Sequence, residues 1–401
     1  MKFVLLQGDG MPDHKLPQLG GKTPLEVAKT PNLDYIAKSA IKFGMVKTIP
    51  DSLPPGSDVG NLTVLGYDPM VYYTGRSPLE AASIGVELSP SDVTLRCNLV
   101  TLKEENGKTI MEDYSAGHIS TAESTEIVND LKNELEEEGF VFHPGISYRH
   151  LLVWTNGNYE INTTPPHDIS GKAIHLYLPS GNGTGKLNEF IERSREFLKD
   201  HPVNRKRIKD GHNPANSIWL WGQGTKPSMP SFEQLYGIKG SVISAVDLVK
   251  GIGKFAKMDV INVPGATGYL DTNYKGKVDY ALESLNEVDL TMIHIEATDE
   301  TGHMGKAELK IQAIEDFDQK VVGPVLEGIK KFGDYRILVM SDHPTPIDIR
   351  THINEPVPFA ILDSKDLSTK NDPFVYTEDS ASSSGVYISE GWKLLGMLLD
   401  K

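Results

Sequence analysis

The feature that most constrains the fold is a set of three short apolar runs, widely separated in the chain. Each run is followed by an aspartate. Residues 3–6, 290–295 and 336–340 are the runs, and Asp9, Asp299 and Asp342 follow them. Helical patterns such as residues 23–40 and 307–326 lie between such runs and predict helices there. Apolar strands of about five residues alternating with helices predict an α/β fold with a central, mostly parallel sheet covered on both faces. Because open sheets of this kind place ligands at the carboxyl ends of their strands, the aspartates mark the edge where a site is expected.

The middle of the chain has a different pattern. A strand is predicted over residues 94–100, a charged helix over 120–138, and short strands over 148–153 and 174–178, with Gly-, Asn- and Pro-rich turns between them. We interpret residues 91–225 as a smaller α/β domain inserted into a discontinuous core of residues 1–90 and 226–401.

Charge limits the possible partners. The 401 residues contain 40 Lys and Arg against 55 Asp and Glu, a formal net charge of −15. Nucleic acids and anionic membrane surfaces select for excess positive charge, so neither is an expected partner. The N-terminal apolar run is too short for an export signal, and Cys97 is the only cysteine, so a cytoplasmic location is expected. The oligomeric state stays open.

Metal-ligand residue types follow the strand ends. Asp299 and His303 are four residues apart and would share one face of a helix, where a carboxylate and an imidazole suit Mn²⁺ or Zn²⁺. A helix cap beside a surface histidine is the alternative. His343 and His352 follow the third strand, where a plain polar turn is the alternative. Taken jointly with Asp9, these residues predict ligands for two divalent ions.

Ser57 is the candidate nucleophile. It follows two prolines and a glycine and begins an apolar helical stretch. It could be a simple N-cap, but a serine hydroxyl beside a divalent ion becomes a usable nucleophile at neutral pH. The sequence has neither a Gly-x-Ser-x-Gly elbow nor a Walker-type loop, so hydrolase-triad and P-loop kinase mechanisms lack their usual support.

Several longer motifs carry a resemblance to a known family. They are Gly8-Asp9-Gly10, Pro55-Gly56-Ser57-Asp58-Val59, Leu65-Gly66-Tyr67-Asp68-Pro69, Ala297-Thr298-Asp299-Glu300-Thr301-Gly302-His303 and Ser341-Asp342-His343. The chain thereby resembles the archaeal-type, cofactor-independent phosphoglycerate mutases of the alkaline-phosphatase superfamily of binuclear metalloenzymes. The resemblance implies an alkaline-phosphatase-like core with an inserted domain. It also implies phosphoryl transfer between 3-phosphoglycerate and 2-phosphoglycerate through a phosphoserine on Ser57.

The resemblance further implies a division of ligands between two ions. One ion would be held by Asp299, His303 and His352. The other would be held by Asp9, Ser57, Asp342 and His343. Mn²⁺ is the expected ion, with Zn²⁺ or Mg²⁺ as alternatives.

Three positions depart from the family pattern and leave the substrate open. Asn61 stands where mutases of the superfamily commonly carry histidine, His118 where archaeal relatives tend to have arginine, and Trp221 in place of another arginine. Arginine is the natural bidentate partner of a carboxylate or phosphate, so these departures weaken the expectation that phosphoglycerate is the substrate. Around residues 221–224 the chain also resembles a bacterial branch of these proteins that has been proposed to act as a homoserine kinase, so a phosphotransferase of that kind is the alternative, and an inactive binding module is a third. The candidate contacts to a small phosphorylated substrate are Asn61, His118, Arg149, His150, His167, Lys226, Lys275 and Lys277.

Overall fold

The computed structural model describes residues 1–367 and 373–401 and divides into two compact units. Unit 1 comprises residues 1–73 and 228–401, and unit 2 comprises residues 74–227. The sequence placed the first boundary later, at residue 91. Residues 74–90 belong to unit 2 because they bond to its strands: Ser77 Oγ donates to the Thr94 carbonyl at 2.8 Å, and Thr74 Oγ1 donates to the Thr225 carbonyl at 2.6 Å.

The described residues contain fifteen strands. They are β1 Lys2–Gly8, β2 Ala40–Val46, β3 Val93–Glu105, β4 Lys108–Asp113, β5 Phe140–Ile146, β6 Arg149–Trp154, β7 Ile161–Asn162, β8 Ser180–Gly181, β9 Ser217–Thr225, β10 Gly240–Ile243, β11 Asp259–Ile261, β12 Leu290–Ile295, β13 Tyr335–Met340, β14 Val357–Asp363 and β15 Tyr387–Ile388.

The same residues form sixteen α-helices. They are α1 Pro24–Val27, α2 Pro31–Lys38, α3 Ser57–Val64, α4 Pro69–Tyr72, α5 Ser77–Ser83, α6 Thr121–Leu135, α7 Gly185–Leu198, α8 Pro202–Lys209, α9 Phe232–Tyr236, α10 Asp247–Phe255, α11 Tyr274–Ser284, α12 Ala297–His303, α13 Ala307–Phe317, α14 Gly323–Gly328, α15 Glu378–Ser383 and α16 Lys393–Leu398. None of the helices in the described part of the chain is long and apolar enough to cross a membrane.

Unit 1 is built on an eight-stranded sheet with the order β11-β10-β12-β1-β13-β14-β2-β15. The five strands from β11 to β13 are parallel, and β14 runs antiparallel to β13 and β2. β1 lies between β12 and β13, so the three strands that precede the aspartates are neighbours. Their side chains are almost entirely buried, as expected for parallel strands covered on both faces. The predicted α/β class with a mostly parallel central sheet is therefore confirmed.

Unit 2 is built on a separate antiparallel sheet. The long strand β3 pairs with β4, β6 and β9, and β5 pairs with β6. Helices α6 and α7 contribute Ile127, Leu131 and Phe190 to an apolar core that also contains Leu95 and Leu152 from the sheet.

Two local predictions were wrong. The helix predicted from Thr23 to Ala40 is broken into α1 and α2, because Pro31 begins the second helix and the residue before a proline is disfavoured in the helical conformation. Residues 174–178 do not form a strand: Ile174–Leu176 is a single 3-10 turn.

Candidate metal centre

The end of β1 presents Asp9 to the edge of the unit 1 sheet. The Asp9 N–H donates to the Ile295 carbonyl at 2.9 Å, which extends the pairing of β1 with β12 by one residue. Gly10 then turns the chain with φ of +57°, and a Cβ at this position would overlap Asp299 and Thr345. The glycine therefore allows the β1 loop to lie directly against the next strand's carboxylate.

Ser57 is the first residue of α3, and Gly56 occupies the N-cap position without a capping side chain. The N-cap alternative for Ser57 is therefore wrong. Its half-buried hydroxyl lies 3.1 Å from His343 Nε2. One turn along the helix, a Cβ on Gly60 would lie 2.8 Å from the Asp342 carbonyl oxygen, so a small residue is needed where α3 approaches the loop after β13.

Asp299 and His303 share one face of α12, whose N-cap is Glu296 rather than Asp299. His303 Nε2 lies 3.2 Å from Asp299 Oδ2 and 3.0 Å from His352 Nε2, and His352 Nε2 lies 3.5 Å from Asp299 Oδ1. The other ring nitrogen of His303, Nδ1, lies 3.0 Å from the Arg350 carbonyl, a group that can only accept. When the ring of His303 is neutral, as a metal ligand must be, its proton lies on Nδ1 and its Nε2 lone pair faces the other two residues. We call Asp299, His303 and His352 the first ligand group.

The second ligand group comprises Asp9, Ser57, Asp342 and His343. Its atoms converge on His343 Nε2, which lies 3.2 Å from Asp342 Oδ2 and 3.7 Å from Asp9 Oδ1. The rings of His343 and His352 have centroids 4.1 Å apart, so the two groups are adjacent. The structure thus brings together all seven residues that the sequence analysis proposed as ligands.

Three buried carboxylates stand close to one another here. Burial, followed by repulsion from Asp342 and Asp299, raises the pKa of Asp9 well above its ordinary value. Burial and the Asp299 charge raise the pKa of Asp342 to about 6. Burial also opposes ionisation of Asp299, but hydrogen bonds to His303 and His352 hold its pKa well below the ordinary value. Burial and mutual repulsion therefore oppose ionisation of Asp9 strongly and of Asp342 to a smaller extent, and a nearby cation would favour the charged form of both.

A further observation indicates that these residues suit divalent ions. Asp9 Oδ1 is buried and has no hydrogen-bond partner within the described residues, although it lies among the oxygen and nitrogen atoms of the second ligand group. A buried carboxylate oxygen without a partner is costly unless it is paired or coordinates a metal. Carboxylate, imidazole and hydroxyl donors together are typical of Mn²⁺ or Zn²⁺ sites.

His294 belongs to the site but was not found from the sequence. It lies in β12 with no exposed surface, and its Nε2 lies 2.6 Å from Asp9 Oδ2, while its Nδ1 lies 3.0 Å from Ser244 Oγ. Burial lowers the pKa of His294 to about 3, so the ring is neutral and orients Asp9 by a hydrogen bond. The signal available in the sequence was a histidine within the apolar run of residues 290–295.

The proposed substrate contacts fall in several places. Asn61 lies in the metal centre, where its Nδ2 donates to Asp342 Oδ2 at 2.9 Å. Lys277 is fully buried and its Nζ donates to the His294 carbonyl at 3.1 Å. Lys275 is exposed and forms an ion pair with Asp279.

The remaining candidates lie in unit 2. His150 is buried, burial lowers its pKa to about 3, and its Nδ1 accepts from the Gly145 N–H. Lys226 Nζ donates to the Leu88 carbonyl at 2.9 Å. The rings of His118 and His167 contact the aromatic residues Tyr148, Tyr114 and Trp221.

Three arginines lie near those aromatic residues. We call Arg76, Arg96 and Arg149 the unit 2 arginine cluster. Arg76 and Arg96 each form a 3.0 Å ion pair with Glu80. The Arg96 guanidinium stacks 4.3 Å above the Trp221 ring. Burial lowers the pKa of Arg96 to about 10, with Glu80 opposing and the other two arginines contributing to the decrease. Glu80 therefore pairs directly with two of the three arginines of the cluster.

Residues 38–204 match a family model described as 2,3-bisphosphoglycerate-independent phosphoglycerate mutase. The chain is 52% identical over its full length to a probable 2,3-bisphosphoglycerate-independent phosphoglycerate mutase of Geobacter sulfurreducens, which is also covered completely. It is 51% identical to the Methanosarcina barkeri enzyme of that name, covering 100% of this chain and 99% of the relative.

Solved structures agree with these matches. A Pyrococcus horikoshii protein superposes with a TM-score of 0.83 at 28% identity, covering 100% of this chain and 96% of that one. The cofactor-independent phosphoglycerate mutase of Thermoplasma acidophilum superposes with a TM-score of 0.65 at 28% identity, covering 100% and 99%. Because full-length relatives share about half of its residues, the chain belongs to the 2,3-bisphosphoglycerate-independent phosphoglycerate mutase family.

Proposed function

We propose that this chain interconverts 3-phosphoglycerate and 2-phosphoglycerate through a phosphoserine on Ser57, with two divalent ions in the first and second ligand groups. The observation that carries the proposal is that His343 Nε2 lies 3.1 Å from the Ser57 hydroxyl and 3.7 Å from the buried Asp9 Oδ1, which has no hydrogen-bond partner within the described residues. The names of the full-length relatives support the same reaction.

The protein's own residues supply the nucleophile and its placement. Ser57 Oγ loses its proton and forms a bond to phosphorus as the bond from phosphorus to the glycerate oxygen breaks, and the departing oxygen takes up a proton. The other hydroxyl of the glycerate then loses its proton as it attacks the phosphoserine, and the released Ser57 Oγ takes up a proton, so no proton is gained or lost overall. Asn61 bonds both to the Ser57 carbonyl and to Asp342, each at 2.9 Å, and so holds α3 against the ligand loop. The ions, when bound, acidify the serine hydroxyl and offset negative charge on the transferred group.

The unit 2 arginine cluster is our candidate for binding the anionic end of the substrate. Arg149 is exposed, whereas Arg76 and Arg96 share Glu80. Guanidinium groups bind carboxylate and phosphate oxygens through paired hydrogen bonds. The cluster also lies beside Trp221, one of the positions where the family pattern has arginine, so Arg96 offers a guanidinium on the face of that ring.

Replacing Arg149 with glutamine is expected to raise KM for 3-phosphoglycerate about tenfold with a smaller effect on kcat, because a charged hydrogen bond to the substrate is lost. Steady-state kinetics measure this change. Arg205→Gln is the matched control, since Arg205 is an exposed arginine of unit 2 whose ion-pair partner is Asp200. Equal KM values for the two variants would remove Arg149 from the substrate site.

The reaction itself is tested with Mn²⁺-loaded protein in two parallel assays. Conversion of 3-phosphoglycerate to 2-phosphoglycerate is followed by coupling to enolase, and homoserine with ATP is tested for O-phosphohomoserine. Activity in the first assay alone is expected. Activity only in the second would replace the mutase proposal with the kinase alternative.

Metal affinity should depend on pH through His303. Burial alone would lower the pKa of this histidine, but the hydrogen bond and charge of Asp299 raise it to about 9. Because a metal binds the neutral ring, protons compete below that pKa, and affinity for Mn²⁺ should fall by up to about tenfold for each pH unit lost below it. Calorimetric titration at several pH values between about 7 and 9 measures the slope. His303→Gln should bind more weakly but with a flatter slope, and an equally steep slope in this variant would contradict the assignment.

A further inference from the structure

Thr345 lies two residues after His343, and several contacts hold its backbone in place. Its side chain is fully buried. Its N–H lies 3.3 Å from the carbonyls of Gly10 and Pro12, and its own carbonyl accepts from Lys310 Nζ at 2.8 Å. A Cβ on Gly302 would lie 2.5 Å from that carbonyl oxygen, so α12 also packs tightly against this residue. The backbone of Thr345 is therefore held in place by contacts that do not involve its hydroxyl.

That hydroxyl contacts one residue of each ligand group. Thr345 Oγ1 forms a hydrogen bond with Asp299 Oδ1, which belongs to the first group. The same oxygen lies 3.2 Å from Nδ1 of His343, which belongs to the second group. Within the described residues, these are the hydrogen-bonding contacts of the Thr345 side chain.

The number of available protons determines which group donates in each of these two hydrogen bonds. A threonine hydroxyl has one proton, and the ionised Asp299 carboxylate can only accept, so Thr345 donates to Asp299. The His343 contact must then run the other way, with Nδ1–H donating to Thr345 Oγ1. A neutral imidazole protonated at Nδ1 carries its lone pair at Nε2, the atom that faces Ser57, Asp9 and Asp342.

We propose that Thr345 is a positioning residue that couples the two ligand groups, because its single hydroxyl stabilises both the Nδ1–H tautomer of His343 and the orientation of Asp299. This inference rests on the two-ion site of the proposed function. It adds that the affinities for the two ions are linked through one side chain. Groups that orient metal ligands in this way typically contribute about 10- to 100-fold to metal affinity. Loss of the Thr345 hydroxyl should therefore weaken both ions, although Thr345 itself binds neither.

The test compares Thr345→Val, which keeps the shape and removes the hydroxyl, with Thr345→Ser, which keeps the hydroxyl. Metal-free proteins are titrated with MnCl₂ by calorimetry, and dissociation constants are obtained for both ions. Thr345→Val is expected to weaken both ions by about tenfold or more, and Thr345→Ser to stay within about threefold of the wild type. Thr48→Val is the matched control, because Thr48 is buried and its hydroxyl has no hydrogen-bond partner in the part of the chain that the structure describes.

A second readout follows the histidine directly. In ¹⁵N-histidine-labelled, metal-free protein, with the His343 signal assigned by its loss in His343→Gln, the wild type should show Nδ1–H, and Thr345→Val should show a mixture of tautomers. Wild-type affinity for both ions in Thr345→Val, weakening of one ion only, or equal weakening in Thr345→Ser would overturn the proposal. If Thr345→Val does not fold, Thr345→Ala against Thr345→Ser decides the same question. A wild type that binds two Mn²⁺ ions without mutase activity refutes the mutase reaction and leaves the coupling intact.

Discussion

Ser57→Ala is expected to lower mutase activity by about 10⁴-fold or more, because the variant has no oxygen to accept the phosphoryl group. The fold should be retained, since Ser57 does not cap α3 and its hydroxyl bonds only to His343 within the described residues. Coupled assays measure the activity, and mass spectrometry of the wild type quenched during turnover should find one phosphoryl group on the peptide containing Ser57.

Ser52→Ala is the matched control for this variant. Ser52 lies in the same segment and is exposed, and its hydroxyl contacts only the Met70 sulfur in the part of the chain that the structure describes. It should retain wild-type activity. If Ser57→Ala keeps more than about a tenth of the wild-type turnover, the phosphoryl group passes through another residue or moves directly between hydroxyls.

Removal of metal is expected to abolish activity and anion binding together. Asp9, Asp299 and Asp342 supply up to three negative charges in a chain of net charge −15, so without ions the centre repels a phosphate group. Two divalent ions would bring four positive charges, and their contribution to the transition state is several kcal/mol, about 10³-fold or more in rate. Stripping with a chelator, followed by kinetics and by titration with inorganic phosphate, measures both losses.

Re-addition of Mn²⁺ should restore both properties, and elemental analysis should find two ions per chain. Asp9→Asn gives the same test without a chelator, because it keeps the shape of the side chain and removes its charge. Asp279→Asn is its control, since Asp279 is exposed and pairs with Lys275. Full activity in chelator-treated protein free of metal would exclude the binuclear mechanism.

The elements that could be predicted from the sequence are those determined by local pattern. Buried strands such as β12 and β13 are continuous apolar runs, and Asp9, Asp299 and Asp342 follow their strands closely enough to be assigned to one edge. The pairing of Asp299 with His303 follows from helical spacing alone.

Residues whose role depends on distant partners were not predictable. His294 contacts Asp9 across 285 positions, and Thr345 contacts Asp299 across 46, so neither has a local signature. Asn61 was considered a substrate contact because of its place in the motif, whereas its amide bonds to Asp342, 281 positions away. The prediction of a strand at residues 174–178 was wrong for a related reason. A short apolar run can contribute side chains to a core from a turn as well as from a strand, and Ile174 does so from a 3-10 turn.

The position of β1 between β12 and β13 has a consequence for biosynthesis. In its sheet, β1 has no neighbours until Leu290–Ile295 and Tyr335–Met340 have also been synthesised. Contacts this distant in sequence form late, because the intervening chain must first be ordered. A nascent chain that has not reached residue 303 therefore has Asp9 and Ser57 but none of the histidines of either ligand group, so the proposed centre can assemble only after residue 352 has been added.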